Sequence, residues 1–398
     1  MSDSGSKGAR GRLAQAQRIV VKFGTHVVTH HGREFALGRV FALVEAIAGL
    51  RRAGKDVLVI SSGAVGLGRR ALKLDGPLSL GLRQACAAAG QGRLISLYTQ
   101  AFAQLDVEAA QVLLTQDDLA DPDRALCLRT TLLRLLELGA VPILNENDSV
   151  SVREIVEQRG TERSTVFGDN DGLSARVAAA VDADLLLLLT DVDGLYTANP
   201  RSDPEARRIP TLDALDGEAF AQALAGASGT SGAGTGGMRS KLAAARIACE
   251  AGVDVLIVDG HAERLLERAL AGEDIGTLMP SPERRNRRRR RIALARCEGA
   301  LVVNEGAIRA LSETKASLLP IGVIAVEGNF GVGGLVELRD PSGLAWGRGM
   351  VNYDSHACRK LAGHHSREID RLLGWRGYDA LVTRDNLILQ DLPQEPDP

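Results

Sequence analysis

The feature that most constrains this fold is a series of short apolar runs that alternate with segments of helical spacing. Each run is nearly continuous in apolar residues, which is typical of parallel strands buried on both faces. The runs are RIVVKFG (18–24), DVLVIS (56–61), VEAAQVLLT (107–115), AVPILN (140–145), ADLLLLLT (183–190) and VDVLIVDG (253–260). Helical spacing is found at 34–53, 78–105, 123–139 (ending on Gly139 as a C-cap), 171–181 and 240–252. The alternation predicts an α/β fold, a three-layer α/β/α sandwich with a mostly parallel central sheet.

The pattern changes near residue 280. The stretch PSPERRNRRRRR (280–291) is followed by short, glycine-punctuated runs, which are GALVVNEGA, GVIAVEGNF, GGLVELRD and GLAWGRGMVNY. These runs predict a small all-β domain. The arginine run is either a solvated linker or a basic patch for nucleic acid. We predict a disordered tail (1–17), an α/β domain (18–280), an arginine-rich linker (281–291), an all-β domain (292–390) and a C-terminal tail (391–398).

Composition excludes several classes of protein. The 398-residue chain has a net charge of -2 and only 3% aromatic residues, which disfavours a base-stacking or polyanion-binding surface. Its five cysteines are widely spaced and lack a CxxC motif, as is typical of free thiols in a reducing compartment. The polar N-terminus is no signal peptide, and no apolar run approaches the ~20 residues of a membrane span. We therefore expect a soluble cytoplasmic protein without a membrane partner.

Polar residues follow four of the predicted strands at the point where each strand ends. Lys22 closes the first run, Ser62 and Gly63 follow the second, Asn145 to Asp148 follow AVPIL, and Thr190 and Asp191 end the leucine run. A surface turn explains any one such cluster, since Asn and Asp favour turns. Ligands of open α/β sheets bind at the carboxyl ends of the strands. Four clusters together therefore predict one site.

Glycine-rich segments point to a phosphate ligand. In GTSGAGTGGMRSK (229–241), glycine permits close backbone approach, and the segment runs into a predicted helix whose N-terminus can bind an anion. A flexible linker is the alternative for any such run, and the segment is not a Walker P-loop. GLGRRA (66–71) matches the loose dinucleotide fingerprint, but no strand with an acidic residue follows it within twenty residues.

A second polar cluster, Asp169, Asn170 and Asp171, stands at the start of a predicted helix in VFGDNDGLSARVA. Helix capping requires one such residue. The others are therefore available for a ligand, a metal or a catalytic lysine.

Eight stretches together resemble the amino acid kinase family, in particular its members that phosphorylate glutamate. They are VVKFGT, SSGAVGLGR, RQACAAAGQ, AQVLLTQDDL, PILNENDSV, FGDNDGLSA, LLLTDVDGLYTANP and GTGGMRSKL. The segments GALVVNEGA, SLLPIGVIAVEGNF, NYDSHACRKLAG and RDNLIL resemble a PUA domain. The resemblance implies transfer of a phosphoryl group from ATP, with Mg²⁺, to the γ-carboxylate of L-glutamate, the first step towards proline. It also implies a homo-oligomer and proline as a feedback inhibitor.

The resemblance assigns a role to each candidate residue. Lys22 and Lys241 would lie along the ATP phosphates, and Asp171 would hold both ammonium groups. The glutamate would be bound by Ser62, Gly63, Asn145, Asp148 and Asn170. The nucleotide would be lined by Lys22, Thr190, Asp191, Thr235, Gly236, Gly237, Met238, Arg239, Ser240 and Lys241. His26 stands where the family has serine and receives no role.

Two alternatives stay open. One is a related kinase that acts on N-acetylglutamate, aspartate or a nucleotide. The other is an RNA-binding protein that acts through the PUA-like domain and the arginine run, which the near-neutral charge and the few aromatic residues disfavour.

Overall fold

The computed structural model describes residues 9–30, 34–150, 170–198, 200, 203–213, 237–281, 297–314, 316–375 and 377–389. The chain divides into two compact units, residues 1–285 and 286–398. The arginine run, residues 284–291, lies outside the described residues. No helix in the described ranges is long and apolar enough to cross a membrane.

A seven-stranded sheet forms the centre of the first unit. Its strand order is β11-β10-β7-β1-β4-β6-β5, and all neighbours are parallel except β10 and β11. Two-stranded antiparallel pairs, β2 with β3 and β8 with β9, flank it. The strands are β1 (Arg18–Phe23), β2 (Thr29–His30), β3 (Glu34–Phe35), β4 (Asp56–Ser61), β5 (Ala109–Leu114), β6 (Val141–Glu146), β7 (Leu185–Thr190), β8 (Leu195–Tyr196), β9 (Arg208–Ile209), β10 (Asp254–Asp259) and β11 (Thr277–Met279).

Helices cover both faces of this sheet. Successive side chains of a strand point to opposite faces, so Leu187 joins one buried cluster and Leu186 and Leu188 join the other. The first cluster includes residues of the helices Leu37–Arg52, Ala64–Ala71, Leu80–Ala103 and Leu265–Leu270. The second includes residues of the helices Pro122–Glu137, Asn170–Ala180 and Met238–Glu250. Short helices span Thr25–Val28 and Gln116–Ala120. The predicted three-layer sandwich is confirmed.

The second glycine of GLGRRA, Gly68, serves helix packing. The segment belongs to the helix Ala64–Ala71, and a Cβ on Gly68 would lie 1.7 Å from the carbonyl oxygen of Cys86. Opposite it, a Cβ on Gly90 would lie 1.8 Å from the carbonyl oxygen of Ala64. Only glycine allows the two helix backbones to approach this closely, which gives these residues a role that requires no cofactor.

Part of the predicted N-terminal tail is ordered. Residues Arg12–Gln15 form a 3₁₀ turn whose Leu13 is fully buried in the first cluster. Arg10 donates hydrogen bonds to the carbonyls of Glu273 (2.7 Å) and Ile275 (2.9 Å). These contacts tie residues 9–17 to the α/β unit, so that unit begins before residue 18.

The second unit is built on a five-stranded sheet with its own core. The strand order is β13-β12-β14-β15-β16, in which only β12 and β14 are parallel. The strands are β12 (Gly299–Val303), β13 (Val323–Gly328), β14 (Leu335–Arg339), β15 (Ala345–Met350) and β16 (Leu387–Leu389). Helices Glu305–Glu313, Ser355–Leu361 and Ile369–Leu373, which the β-rich pattern did not indicate, complete the unit.

Candidate active site

The carboxyl edge of the central sheet brings the predicted polar residues together. Strand β1 carries Lys22 at its C-terminal end, with β7 on one side and β4 and then β6 on the other. Thr190, the last residue of β7, therefore lies to one side of Lys22. Ser62, which follows β4, and Asn145 in β6 lie to the other side. The strand order divides the site into two halves that meet at Lys22.

Asp171 joins two lysines from different elements at the centre of the site. Its Oδ1 lies 2.6 Å from Nζ of Lys22, and its Oδ2 lies 3.2 Å from Nζ of Lys241. Ser240 donates from Oγ to the same Oδ2 at 3.0 Å. All three charged residues are buried, with exposures of 0% for Asp171, 3% for Lys22 and 6% for Lys241. Buried charges are stable when they are paired, and these three groups together sum to one positive charge.

Helix geometry places these groups. Asp171 is the second residue of the helix Asn170–Ala180, and Lys241 lies in the first turn of the helix Met238–Glu250. The two helices pack against each other, and the first also packs against β1. The two ammonium groups and the carboxylate that holds them are thus carried by the ends of two helices and one strand, and not by flexible loops.

The opposite half of the site is a network of amides and hydroxyls. Asn170 donates from Nδ2 to Oγ of Ser62 (2.9 Å), to Oδ1 of Asn145 (2.9 Å) and to the carbonyl of Ser61 (3.3 Å). Asn145 is only 4% exposed. Because Asn170 directly precedes Asp171 in the same helix, a single peptide bond links this network to the residue that holds the two lysines.

Gly63 shapes the backbone beside this network. Its φ of +110° is a left-handed conformation that favours glycine, and the helix Ala64–Ala71 starts directly after it without a side-chain cap. The first turn therefore has backbone N–H groups without a side-chain cap, and such groups suit a carboxylate.

Asp148 lies in the turn that follows β6 and is half-buried. The same turn is held to the sheet by the N–H of Asn147, which donates to the carbonyl of Leu114 at 2.9 Å. Asp148 thus closely follows the end of β6, the strand that carries Asn145.

The other half of the site is formed by the end of β7 and the start of a helix. Thr190 donates to Oδ1 of the exposed Asp191 at 3.1 Å. Gly237 precedes the helix Met238–Glu250 and gives no side-chain cap, so the first N–H groups of this helix are suited to an anion. Met238 and Arg239 form the first turn with Ser240 and Lys241. Thr235, Gly236 and Asp169 lie outside the described residues.

A model of the amino acid kinase family matches residues 17–259. This chain belongs to the amino acid kinase family. A model of the PUA domain matches residues 299–373, within the C-terminal unit.

Similar curated proteins extend over almost the full length of this amino acid kinase. Glutamate 5-kinase of Trichlorobacter lovleyi is 44% identical over 383 residues, which cover 96% of this chain and 98% of that protein. Glutamate 5-kinase of Moorella thermoacetica is 44% identical, with coverages of 95% and 97%, and that of a Synechococcus species is 45% identical, with coverages of 93% and 98%. A solved UMP kinase of Bacillus anthracis is 15% identical with a TM-score of 0.46, covering 67% of this chain and 97% of that one.

Sequence reasoning missed two residues that support the site of this amino acid kinase. Gln91 and Tyr98 lie seven residues apart on the helix Leu80–Ala103, on one face. Gln91 accepts a hydrogen bond at Oε1 from Nδ2 of Asn145 (2.9 Å), and the hydroxyl of Tyr98 lies 2.8 Å from Oγ of Ser61. Burial raises the pKa of Tyr98 above its ordinary value. Both residues lie in a helix that the sequence predicts, but a polar residue in a helical pattern usually indicates a solvated face.

The described part of the chain contains no group of three or more His, Cys, Asp or Glu residues that could hold a metal ion.

Proposed function

We propose that this chain transfers the γ-phosphoryl group of ATP to the γ-carboxylate of L-glutamate and so forms L-glutamyl 5-phosphate, the first step towards proline. The observation that carries the proposal is the sharing of Asp171 by Lys22 and Lys241, next to the network of Asn170, Asn145 and Ser62. The similarity to curated glutamate 5-kinases over almost the whole chain supports the choice of glutamate.

The chemistry of the acceptor suits a site of this composition. A γ-carboxylate is already ionised at pH 7, so it attacks phosphorus without a general base. The transferring group carries its negative charge on three equatorial oxygens, and catalysis depends on positioning and charge stabilisation. Two fixed ammonium groups supply that stabilisation.

The nucleotide would occupy the β7 side of Lys22. The uncapped start of the helix Met238–Glu250 and the ammonium of Lys241 suit the phosphates, and Thr190 and Asp191 would line the nucleotide beside them. Asp171 is already shared by Lys22, Lys241 and Ser240. We therefore assign Mg²⁺ to the phosphate oxygens of the nucleotide, where it would neutralise charge.

Glutamate would occupy the β4 and β6 side. The backbone at Gly63 and the hydroxyl of Ser62 would bind carboxylate oxygens. Asp148 and the amide oxygens of the network would accept hydrogen bonds from the α-ammonium group. Its γ-carboxylate would then face Lys22 and the phosphoryl group from the opposite side to the nucleotide.

In the transfer step, a γ-carboxylate oxygen forms a bond to phosphorus while the bond to the leaving ADP oxygen breaks. Lys22 and Lys241 would stabilise the negative charge on the phosphoryl oxygens while the group moves from ATP to glutamate. Asp171 would hold both ammonium groups in place, so no reorganisation would be needed at the moment of transfer.

The proposal is tested by ATP consumption with glutamate, N-acetylglutamate, aspartate and UMP as separate acceptors. We expect turnover with glutamate and trapping of the acyl phosphate by hydroxylamine as a hydroxamate. Turnover with another acceptor and none with glutamate would overturn the assignment. Addition of proline to the same assay tests feedback inhibition.

A further inference from the structure

We propose that Gln91 is a positioning residue for the amino acid acceptor. It sets the direction of the Asn145 amide and, through it, that of Asn170. This proposal rests on the function proposed above.

The hydrogen bonds form a directed relay. Asn145 donates from Nδ2 to Oε1 of Gln91 at 2.9 Å, and its own Oδ1 accepts from Nδ2 of Asn170 at 2.9 Å. An amide has one accepting and one donating end. With its Oε1 towards Asn145, Gln91 favours the orientation in which Oδ1 of the buried Asn145 amide faces Asn170.

If the Asn145 amide were reversed, two hydrogen-bond donors would face each other. Its Nδ2 would then face Nδ2 of Asn170, which already donates to Ser62 and to the carbonyl of Ser61. Asn170 would have to turn its own amide, and Ser62 and the Ser61 carbonyl would lose their donor. Ser61 is fully buried, and leaving a buried acceptor without its donor costs more free energy than the hydrogen bond contributes, so the relay favours one arrangement.

The arrangement determines which atom of Asn170 is left for a ligand. Its two Nδ2 hydrogens are shared among Asn145, Ser62 and the carbonyl of Ser61, whereas its Oδ1 takes no part in these bonds. An amide oxygen is an acceptor and suits an ammonium group. The relay thus prepares the site for an amino acid with a free α-ammonium.

The scaffold of the relay is rigid. Gln91 lies on the helix Leu80–Ala103, one residue after Gly90, which packs directly against the backbone of Ala64. Two turns further on, Tyr98 contacts Ser61, whose carbonyl accepts from Asn170. One helix therefore holds the network at both ends.

The test compares Gln91→Met with Gln91→Glu in the full-length enzyme. The methionine side chain has a similar length, but its sulfur is only a weak hydrogen-bond acceptor. Glutamate keeps an oxygen that can accept the hydrogen bond from Asn145. We expect Gln91→Met to raise the KM of the acceptor about tenfold, with the KM of ATP and kcat at saturating acceptor within about twofold of wild type. Gln91→Glu should stay within about threefold of wild type in all three. Gln100→Met, on an exposed position of the same helix, is the matched control.

The outcomes separate this proposal from the function on which it rests. Wild type is assayed first, and the amino acid that it phosphorylates, whether glutamate or aspartate, is used for every variant, because both carry the free α-ammonium group that the relay is proposed to recognise. Failure with glutamate alone contradicts the proposed function and leaves the relay testable with the other acceptor. If Gln91→Met fails to fold by circular dichroism, Gln91→Ala replaces it. Two results would overturn the relay. One is an unchanged KM for the amino acid in a folded Gln91→Met or Gln91→Ala variant, which lacks the amide oxygen. The other is an equal loss in kcat and in both KM values for Gln91→Met and Gln91→Glu.

Discussion

At the scale of single residues, the two lysines and Asp171 define the strongest test of the proposed chemistry. Loss of one preorganised donor of this kind costs about 10²–10³ in kcat. We expect Lys22→Ala and Lys241→Ala each to fall in that range, because each ammonium is buried and held by Asp171. The measurement is steady-state kcat with both substrates saturating, and Lys360→Ala, exposed in the second unit, is the control. A folded Lys22→Ala variant within threefold of wild type would show that Lys22 does not bind the phosphoryl group.

The same three residues should not act independently. Asp171→Asn is expected to lower kcat as well, since a neutral amide cannot hold two ammonium groups by charge. A double lysine variant should lose less than the product of the single losses, because residues that act as a unit are not additive. Strictly multiplicative losses would mean that the lysines serve separate steps.

Asp148 tests the amino acid half of the site. If its carboxylate pairs with the α-ammonium of the acceptor, Asp148→Ala should raise the KM of glutamate by about ten- to hundredfold, as expected for a hydrogen bond between charged groups. The KM of ATP should change by less than about threefold. Separate titrations of the two substrates decide the matter, and a change confined to ATP would place Asp148 on the nucleotide side.

Sequence patterns predicted the site residues at the carboxyl edge of the sheet better than the supporting residues on the helix Leu80–Ala103. Lys22, Ser62, Asn145 and Thr190 end or follow apolar strands, and parallel topology brings such ends together without detailed packing. Gln91 ends the stretch RQACAAAGQ, but its role was missed because that role depends on one contact with Asn145, which is 54 residues away in the chain. No local pattern encodes such a contact.

At the scale of elements, close packing of the helices Ala64–Ala71 and Leu80–Ala103 sets the position of the network. Gly68→Ala would place a Cβ 1.7 Å from a carbonyl oxygen, so the helices must separate. We expect a loss of stability of at least about 1–3 kcal/mol, the usual cost of overpacking. Gly92→Ala is the matched control, because a Cβ there meets nothing within 4 Å, and its better helix propensity should stabilise by about 0.5–1 kcal/mol. Thermal unfolding of both variants measures the difference, and equal melting temperatures would contradict the packing role.

The strength of the hydrophobic pattern decided which elements could be predicted. The five leucines of β7 are all buried, and both faces of the strand are covered, so the run itself indicates a central position. Strand β11 has only three residues and gave no signal. The helix Ala64–Ala71 was missed because its two glycines indicate a loop, although Gly68 is needed where two helices approach closely.

At the scale of the whole molecule, the kinase site lies in the first unit, and the C-terminal unit has a separate stretch of sequence and a hydrophobic core of its own. The described site residues all precede Pro280, and the last described contacts of the first unit are those of Ser281, which bonds to Asp254 at 2.9 Å and to the carbonyl of Cys249 at 2.9 Å. The second unit packs around its own buried cluster, which includes Leu301, Val336 and Tyr353. Each unit therefore has the core that independent folding requires.

This separation predicts that residues 1–285 fold and phosphorylate glutamate without the PUA domain. The truncated chain ends after Ser281, so that the two hydrogen bonds of that residue are kept. We expect kcat and both KM values within about threefold of the full-length enzyme, because the lysine pair and the amide network are built from elements of the first unit alone. The measurement is the ATP-consumption assay on the truncated chain, with circular dichroism and thermal unfolding to establish its fold.

Gln91→Met in the truncated chain should again raise the acceptor KM selectively. A folded truncated chain that binds ATP but does not turn over glutamate would show that the second unit contributes directly to the reaction.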